Sequence, residues 1–449
     1  MPGSSLPPWE PSGSSRPTCI DLFGGAGGLS LGFEQAGFDV LATVEYDPVH
    51  GLVHRRNFPD CEVLCRDVKA LQGQDVLAAA ARGFRRIRPG AGWPGTVDAV
   101  IGGPSCQGFS TGGVRDKDDE RNGLLTEFVK IVVAIRPHAF CLENVPGLLE
   151  PRFDEVRRSA LKALRDAGYS IVGSDGWLNA VDFGVPQTRK RVFVLGVLDG
   201  PAPDLPEPAA RPVMVTVQHA LEGLPTVEDY RDLLMRDEAT LTEGDVTGRT
   251  TIRSAYAREL SGLSVPLPHD LSRARVWDPL RTTCSLRTVH TPDVVTRFGL
   301  TPRGGVEGKS RLYRLDPDTQ ARTLRAGTGR ERGAHTSPRP IHPYLPRVIT
   351  VREAARLHGY PDWFRLAGTS WHGHRQVGNS VPPPLARAVA ARLVAALGAT
   401  PRRPRKVVLP GDDAWCRTAP VDAAALLSAV AEELPAQRAR RSSGPAVTV

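Results

Sequence analysis

The chain has 449 residues, of which 41% are hydrophobic and 24% charged, an ordinary balance for a folded globular protein with room for two domains. No apolar stretch approaches the ~20 residues of a membrane span, and residues 1–17 lack the regions of a signal peptide. We therefore exclude an integral membrane protein and expect residues 1–17 to be a disordered lead-in. Seven scattered cysteines indicate a reducing, cytoplasmic location.

The net charge of +8 is concentrated in one part of the chain. Residues 249–339 contain 17 basic and 8 acidic side chains. A local basic field of this kind is typical of a protein that binds a polyanion, although a solvated arginine-rich surface gives the same count. Cys61 and Cys65, with His50 and His54 nearby, have no second ligand pair at zinc-finger spacing, so we expect no metal site.

The first half of the chain alternates between predicted strands and helices. Strands are predicted at residues 19–23, 40–44, 97–101, 139–142 and 192–197, and helices at 29–36, 124–135 and 153–167. This alternation predicts an α/β fold with a doubly wound, mainly parallel sheet.

The alternation stops near residue 200, where a proline-rich linker begins. We expect a first domain over residues 18–212 and a second, smaller and irregular domain over 213–347. Helical patterns at 350–357 and 384–397 predict that residues 348–398 return to the first domain. Residues 399–449 form a basic C-terminal tail with an amphipathic stretch at 421–434.

The first predicted strand runs into the turn Gly24-Gly25-Ala26-Gly27-Gly28 and then a helix, which together form a site for a polar or anionic group. Glu45 ends the second strand, where a carboxylate can bond ribose hydroxyls. Ser30 stands where the dinucleotide fingerprint requires its third glycine, so a ligand without a pyrophosphate, such as S-adenosylmethionine, fits better. Tyr46 can stack on adenine, and Asp67 can accept from its amino group.

A loop at residues 102–110 follows the strand at 97–101 and contains Cys106 among glycines and a proline. This position, past the end of a strand, favours a reactive thiol over a packing cysteine. Glu143 ends the next strand, where a carboxylate can exchange a proton. Arg189 and Arg191 alternate along an extended segment, so both face one side and can hold a phosphate or a base carbonyl.

Five short sequence motifs occur together and in order, at residues 21–28, 102–107, 143–145, 187–191 and 378–381. The chain therefore resembles the DNA (cytosine-5)-methyltransferase family over about residues 18–398. Residues 121–124 and 351–362 resemble two further family motifs. One departure is Ser105, which stands directly before the cysteine where the family most often has proline.

The resemblance implies a Rossmann-like methyltransferase fold that uses S-adenosylmethionine, with residues 213–347 as a target-recognition domain facing duplex DNA. It implies that Cys106 attacks C6 of a flipped-out cytosine and that Glu143 bonds or protonates N3, while Arg189 and Arg191 fix the base and its phosphate. A monomer associated with the nucleoid is expected, with a cognate restriction endonuclease as a candidate partner in a restriction-modification system.

The predicted site residues fall into two further groups. Cofactor contacts are predicted for Phe23, Gly25, Gly27, Gly28, Leu29, Glu45, Tyr46, Asp67, Val68, Pro104, Leu124, Asn379 and Val381. Substrate contacts are predicted for Gln107, Ser110 and Gln187.

Three alternatives remain at this point. A transfer-RNA cytosine-5 methyltransferase uses the same scaffold, and only the long basic segment favours duplex DNA. A non-catalytic DNA-binding regulator would retain the fold, but the intact Cys106, Glu143 and arginines count against it. A nicotinamide-dependent oxidoreductase is disfavoured by Ser30.

Overall fold

The computed structural model describes residues 16–104, 123–208, 214–263, 267–327 and 339–428. Eight strands in this part of the chain form one sheet: β1 (Thr18–Leu22), β2 (Asp39–Val44), β3 (Glu62–Leu64), β4 (Ala99–Gly102), β5 (Ala139–Asn144), β6 (Tyr169–Val172), β7 (Leu178–Asn179) and β8 (Lys190–Leu198). Two further short strands, β9 (Ala239–Thr240) and β10 (Arg281–Thr282), pair with each other.

The sheet order is β3-β2-β1-β4-β5-β8-β6, with β7 paired to the start of β8. Strands β3, β2, β1, β4 and β5 are parallel, and β8 runs antiparallel to its neighbours β5 and β6. The predicted doubly wound, mainly parallel sheet is confirmed.

The helices in the described residues cover both faces of the sheet. They are α1 (Gly28–Ala36), α2 (Pro48–Asn57), α3 (Gly73–Ile87), α4 (Gly123–Ile135), α5 (Asp154–Asp166), α6 (Val217–Leu221), α7 (Glu243–Thr250), α8 (Ala255–Ser261), α9 (Pro292–Leu300), α10 (Val351–Arg356), α11 (Ser370–Asn379), α12 (Pro383–Ala396) and α13 (Pro420–Leu426). One apolar core joins α1, α2, α10 and α12 to the sheet, and the other joins α3, α4 and α5 to its opposite face. None of these helices is long and apolar enough to cross a membrane.

The described part of residues 213–347 is irregular, as predicted, and its longest helix, α9, has nine residues. We call residues 213–347 the recognition segment. It contains two small apolar clusters, one around Leu233 and one around Phe298. Its independence as a second domain stays a prediction.

Both ends of the described chain differ from their predictions. The lead-in was expected to extend to residue 17, but Arg16 is buried, because its guanidinium forms an ion pair with Asp39 at 2.9 Å and donates to the Phe38 carbonyl at 2.7 Å. The tail was expected to begin at residue 399, but residues 399–428 pack against the rest of the molecule. Val408 bridges to Arg275 of the recognition segment, and α13 packs on α2.

Close packing of α1 on α12 generates a stability prediction. A Cβ added to Gly32 would lie 2.3 Å from the Ala386 Cβ and 2.7 Å from the backbone nitrogen of Arg387, so Gly32→Ala forces the helices apart. We expect a loss of about 1–3 kcal/mol in the free energy of unfolding, measured by urea denaturation. Gly248→Ala in α7 is the matched control, because nothing lies within 4 Å of its added Cβ. A helix favours alanine, so the control should be neutral or stabilising. Equal effects of the two substitutions would contradict the packing argument.

Candidate active site

The predicted site residues in the described chain gather at one edge of the sheet. Strands β1 to β5 are parallel, so their carboxyl ends share this edge, where open α/β sheets bind ligands. The residues that follow these ends are Phe23, Glu45, Asp67, Pro104 and, as the last-but-one residue of β5, Glu143. The antiparallel strand β8 begins at the same edge and brings Arg191 to it.

The glycine turn after β1 is fixed by β2. The backbone nitrogens of Phe23 and Gly24 both donate to the Val44 carbonyl, at 2.9 and 3.1 Å. Gly25 and Gly27 have φ values of +56° and +102°, a left-handed conformation that glycine adopts without steric cost. A Cβ on Gly27 would lie 2.5 Å from the Phe58 ring, whereas a Cβ on Gly25 would meet nothing within 4 Å. The turn is therefore packed on one side and open at Gly25.

Glu45 closes this turn with its carboxylate. Its Oε2 accepts from the backbone nitrogen of Gly25 and its Oε1 from that of Asp47, both at 2.8 Å. Burial raises the pKa of Glu45, and His50, 3.8 Å from Oε1, works in the opposite direction. The neighbouring Tyr46 is 40% exposed, which leaves part of its ring accessible at the rim of the turn.

The remaining predicted cofactor residues surround the same edge. Asp67 accepts from the Lys69 nitrogen at 2.9 Å and begins a short turn that contains the buried Val68. Leu29 is buried in α1, and Leu124 lies in the first turn of α4.

The segment after α11 lies directly on the glycine turn. Asn379 is exposed at the end of α11, while Val381 is buried. A Cβ on Gly28 would lie 2.6 Å from the Val381 carbonyl oxygen and 2.5 Å from the hydroxyl of Tyr360. Only glycine fits this contact, which joins the C-terminal part of the fold to the turn.

Asp21 is a buried carboxyl group that the sequence analysis did not single out as a site residue. It is fully buried in β1, and its Oδ2 accepts from the Ser30 hydroxyl at 2.6 Å. The same hydroxyl lies 3.0 Å from Nε2 of His54. Oδ1 of Asp21 has no hydrogen-bond partner among the described residues. The signal was present in the sequence, because an ionisable side chain interrupts an apolar strand.

The environment of Asp21 favours its protonated form. Burial raises the pKa of Asp21 to about 7, and the carboxylates of Glu45 and Glu143 act in the same direction against the Ser30 hydrogen bond. Three carboxyl groups thus share one electrostatic environment at this edge.

Glu143 and Arg191 form a buried ion pair at the end of β5. Oε1 of Glu143 lies 2.8 Å from Nε of Arg191, and each side chain is only 10% exposed. Burial raises the pKa of Glu143, and the guanidinium of Arg191 counteracts this. A Cβ on Gly103 would lie 2.6 Å from Oε2 of Glu143, so the start of the thiol loop passes directly over the carboxylate. The carbonyl of Pro104 accepts from the Asn144 side chain at 3.5 Å.

Arg189 lies at the meeting of residues 187–191, 321–326 and 378–381, which we call the three-segment joint. Its Nη1 donates to the Leu324 carbonyl at 2.8 Å. Its Nη2 donates to the carbonyls of Gly378 and Ser380 at 2.7 and 2.8 Å. Arg189 is fully buried. These three hydrogen bonds go to the protein backbone, and the predicted contact of Arg189 with the base stays a prediction.

Gln187 also lies inside this joint and is fully buried. Its side-chain nitrogen donates to the Leu357 carbonyl at 3.2 Å and lies 3.0 Å from Nδ1 of His358. Its side-chain oxygen accepts from the Leu324 nitrogen at 3.0 Å. These hydrogen bonds lie inside the protein, and the predicted substrate contact of Gln187 stays a prediction. Its partners are far away in sequence, so no local pattern could have revealed this position.

Three predicted site residues, Cys106, Gln107 and Ser110, lie outside the described residues. The two cysteines considered for a metal, Cys61 and Cys65, are both buried. No group of three or more His, Cys, Asp or Glu side chains within the described ranges is arranged to hold a metal ion.

Comparison with known proteins identifies the family of this chain. Residues 17–395 match the family described as C-5 cytosine-specific DNA methylase. The chain belongs to this family. It is 43% identical over 433 residues to the type II methyltransferase M.XorII of Xanthomonas oryzae pv. oryzae, covering 96% of this chain and 97% of that protein. It is 30% identical to the type II methyltransferase M.AgeI of Thalassovita gelatinovora, covering 84% and 99%.

Solved structures agree with this assignment. A prophage-encoded E. coli protein assigned as a DNA modification methyltransferase superimposes with a TM-score of 0.67 at 33% identity, covering 85% of this chain and 99% of that one. The Dnmt2 methyltransferase of S. pombe, at 15% identity and a TM-score of 0.50, shares the fold. Membership of the family identifies the chain as a DNA cytosine-5-methyltransferase.

The position of Asp21 generates a pH-dependent prediction. Its pKa is about 7 in the folded chain and about 3.9 in an unfolded one, so between these values the folded state keeps a proton that the unfolded state loses. The contribution of Asp21 to stability therefore falls as the pH rises through this window. Asp21→Asn cannot ionise, so its free energy of unfolding relative to wild type should rise between about pH 4 and pH 7 by up to about 4 kcal/mol and then level off.

Urea denaturation at a series of pH values measures this difference. The comparison at about pH 3 is the internal control, because this pH lies about one unit below the unfolded-state pKa and Asp21 is largely neutral there in both states. Ser30→Ala should raise the upper limit of the window, since the Ser30 hydrogen bond lowers the pKa of Asp21. A constant difference between wild type and Asp21→Asn over the whole range would contradict the assignment.

Proposed function

We propose that the chain transfers a methyl group from S-adenosylmethionine to C5 of a flipped-out cytosine in a specific duplex DNA sequence, through a covalent bond between Cys106 and C6. The observation that carries this proposal is the buried Glu143–Arg191 ion pair under Gly103, at the same sheet edge as the glycine turn. A proton donor, a cation and the start of the thiol loop thus lie together beside the cofactor turn.

The residues at the edge fit S-adenosylmethionine. The turn is open at Gly25, Glu45 lies where ribose hydroxyls can bind, and Tyr46 is exposed for an adenine ring. The partnerless Oδ1 of Asp21 and the cluster of carboxyl groups favour a ligand that carries positive charge. When bound, the cofactor supplies the sulfonium methyl group that C5 accepts.

Cys106 supplies the nucleophile in this proposal. Cys106 follows Pro104 by two residues, and the Pro104 carbonyl accepts from the side chain of Asn144, next to Glu143. A free thiol has a pKa of about 8.5, and the thiolate is the reactive form. Its addition to C6 forms a carbon–sulfur bond and moves an electron pair to C5, which makes C5 nucleophilic.

In this scheme Glu143 neutralises the negative charge that the addition of the thiolate places on the cytosine ring. Burial raises its pKa, which favours a protonated carboxyl group that can donate to N3 of the cytosine. Arg191 holds the carboxyl group in place at 2.8 Å and adds a positive charge next to the base. After methylation, a base removes the C5 proton, the C5–C6 double bond re-forms and the thiolate leaves.

The two buried polar residues of the joint act at a distance in this scheme. We assign Arg189 and Gln187 as positioning residues, because their side chains hold residues 321–326 and 378–381 against the strand that carries Arg191. The recognition segment supplies the basic surface for DNA phosphates. The names of the related type II methyltransferases favour a cognate restriction endonuclease as partner, and we propose that the enzyme acts as a monomer.

Substitution of the nucleophile tests the function directly. In cells that express the wild-type chain, bisulfite sequencing should reveal methylated cytosines at one DNA sequence, and Cys106→Ala should remove them. Cofactor affinity, measured by calorimetry on the purified variant, should stay within about threefold of wild type, because the thiol contacts the base. Methylation that survives in Cys106→Ala would refute the covalent mechanism. Methyl label found in transfer RNA and absent from DNA would refute the DNA substrate.

A mechanism-based trap tests the covalent step. A duplex that carries 5-fluorocytosine at the target position has no removable C5 proton, so the adduct cannot resolve. With S-adenosylmethionine present, wild type should form a complex that resists denaturing electrophoresis. Cys106→Ala should form none, and Glu143→Gln should form it more slowly by about 100-fold or more. Equal trapping by wild type and Cys106→Ala would place the covalent bond elsewhere.

A further inference from the structure

A buried histidine, His358, connects two of the segments that meet at the three-segment joint. It follows α10 in the chain and is fully buried, and no step of the proposed reaction uses its ring. Its two ring nitrogens have different partners. Nδ1 lies 3.0 Å from the side-chain nitrogen of Gln187, and Nε2 lies 3.1 Å from the carbonyl oxygen of Ser380.

The hydrogen bonds of Gln187 fix the tautomer of this ring. The side-chain oxygen of Gln187 accepts from the Leu324 nitrogen at 3.0 Å, so its side-chain nitrogen faces the histidine. An amide nitrogen only donates, so Nδ1 of His358 accepts, and Nε2 carries the proton and donates to the Ser380 carbonyl. Burial and the guanidinium of Arg189 lower the pKa of His358 well below its usual range, which keeps the ring neutral in this arrangement.

The Ser380 carbonyl is held from two directions against the cofactor turn. It accepts from Nη2 of Arg189 at 2.8 Å as well as from His358, which uses both of its lone pairs. Ser380 and Val381 follow α11 and lie directly on the glycine turn. A Cβ on Gly28 would lie 2.9 Å from the Ser380 Cβ and 2.6 Å from the Val381 carbonyl oxygen. The proton on Nε2 of His358 therefore helps to hold this segment at the turn.

The ring of Tyr360 restricts the orientation of the imidazole. The two rings stack, with 5.9 Å between their centres and 15° between their planes. Tyr360 is fully buried, and its hydroxyl lies 2.5 Å from the position that a Gly28 Cβ would occupy. His358 is thus fixed by a stacked ring as well as by two hydrogen bonds.

The Nδ1 side of His358 leads to the recognition segment through Gln187. Leu324, which donates to the Gln187 side chain, lies in that segment and is buried. Arg322 and Arg325, on either side of Leu324, are exposed. A DNA backbone bound by these arginines would act on the same short stretch that Gln187 holds. One imidazole therefore contacts the support of the cofactor turn on one side and the support of the basic surface on the other.

We propose that His358 is a positioning residue for both ligands. Its Nε2–H holds residues 378–381 for the cofactor, and its Nδ1 holds Gln187 and, through it, residues 321–326 for the duplex. This proposal rests on the proposed function in taking S-adenosylmethionine and duplex DNA as the two ligands. A histidine that only fills the core would change both affinities together when it is replaced. A residue with two separate bonds should allow the two affinities to be changed one at a time.

Two substitutions separate the bonds of His358. A glutamine can place its side-chain nitrogen where Nε2 lies, but it has no acceptor at the position of Nδ1. An asparagine can place its oxygen at the position of Nδ1, but it does not reach the Ser380 carbonyl. His358→Gln should therefore keep the affinity for S-adenosylmethionine within twofold of wild type and weaken the affinity for duplex DNA by about 3- to 30-fold. His358→Asn should show the reverse pattern.

Both affinities are measured without methyl transfer. Calorimetry gives the affinity of the free enzyme for S-adenosylmethionine. Fluorescence anisotropy gives its affinity for a labelled duplex that carries the sequence found by bisulfite sequencing. In steady-state kinetics, His358→Asn should raise KM for the cofactor by a larger factor than it lowers kcat.

His374→Asn is the matched control. His374 is a buried histidine in α11, the helix that leads to residues 378–381, and its Nδ1 lies 2.8 Å from the Ser370 carbonyl of the same helix. Its replacement should lower the thermal midpoint while the ratio of the two affinities stays within twofold of wild type.

The wild-type ring provides a test that needs no stable variant. The ¹⁵N chemical shifts of His358 should show Nε2 with a proton and Nδ1 without one between about pH 6 and pH 8. The signals of His358 are assigned as those that are missing in either variant or, where neither variant folds, from backbone-correlated spectra of the wild type. A proton on Nδ1 in this range would overturn the proposal.

The outcomes distinguish this proposal from the proposed function. If His358→Gln and His358→Asn weaken both affinities alike, if the pattern is reversed, or if neither affinity changes by more than twofold, His358 does not position the two ligands. A wild type that binds neither S-adenosylmethionine nor duplex DNA would overturn the proposed function. A wild type that binds both, with variants that fail to separate the affinities, would overturn this proposal alone.

Discussion

The buried guanidinium of Arg189 holds together three segments that are far apart in the sequence. Hydrogen bonds to a charged donor contribute about 1.5–3 kcal/mol each, whereas an uncompensated buried charge costs several kcal/mol. The hydrogen bonds to the carbonyls of Leu324, Gly378 and Ser380 therefore help to stabilise the arginine in this position. They connect the recognition segment and the C-terminal part of the fold to the strand of Arg191.

The antiparallel direction of β8 brings Arg191 to the active-site edge. Parallel strands bring their carboxyl ends to a common edge, which gathers Glu45, Pro104 and Glu143. An additional parallel strand would place its first residues at the opposite edge. Because β8 is antiparallel, its beginning meets the end of β5, and Arg191 reaches Glu143. The antiparallel strand is thus the reason that an acid and a cation, separated by 48 positions of sequence, form a buried pair.

The sequence predicted the features that depend on local pattern. The five predicted strands are present within about two residues of their expected ends. Helix α2 was missed because it buries His50, His54 and Asn57, so its polar residues hide the apolar periodicity on which prediction depends. The sequence did not reveal the buried hydrogen bonds of Gln187 and Arg189, because the partners of their side chains lie more than 130 positions away and only the folded chain brings them together.

Acidic groups are buried at the active-site edge, whereas basic groups are exposed on the recognition segment, so these two parts of the molecule suit ligands of opposite charge. Inside the edge, Asp21, Glu45 and Glu143 are buried together, and each of them has a raised pKa. Outside, the recognition segment exposes arginines such as Arg311 that no carboxylate of the described chain neutralises. Like charges held together at low dielectric favour a ligand of opposite sign, so the inner edge favours a small cation and the outer surface a polyanion. A methyl donor with a sulfonium centre and a DNA duplex have these charges.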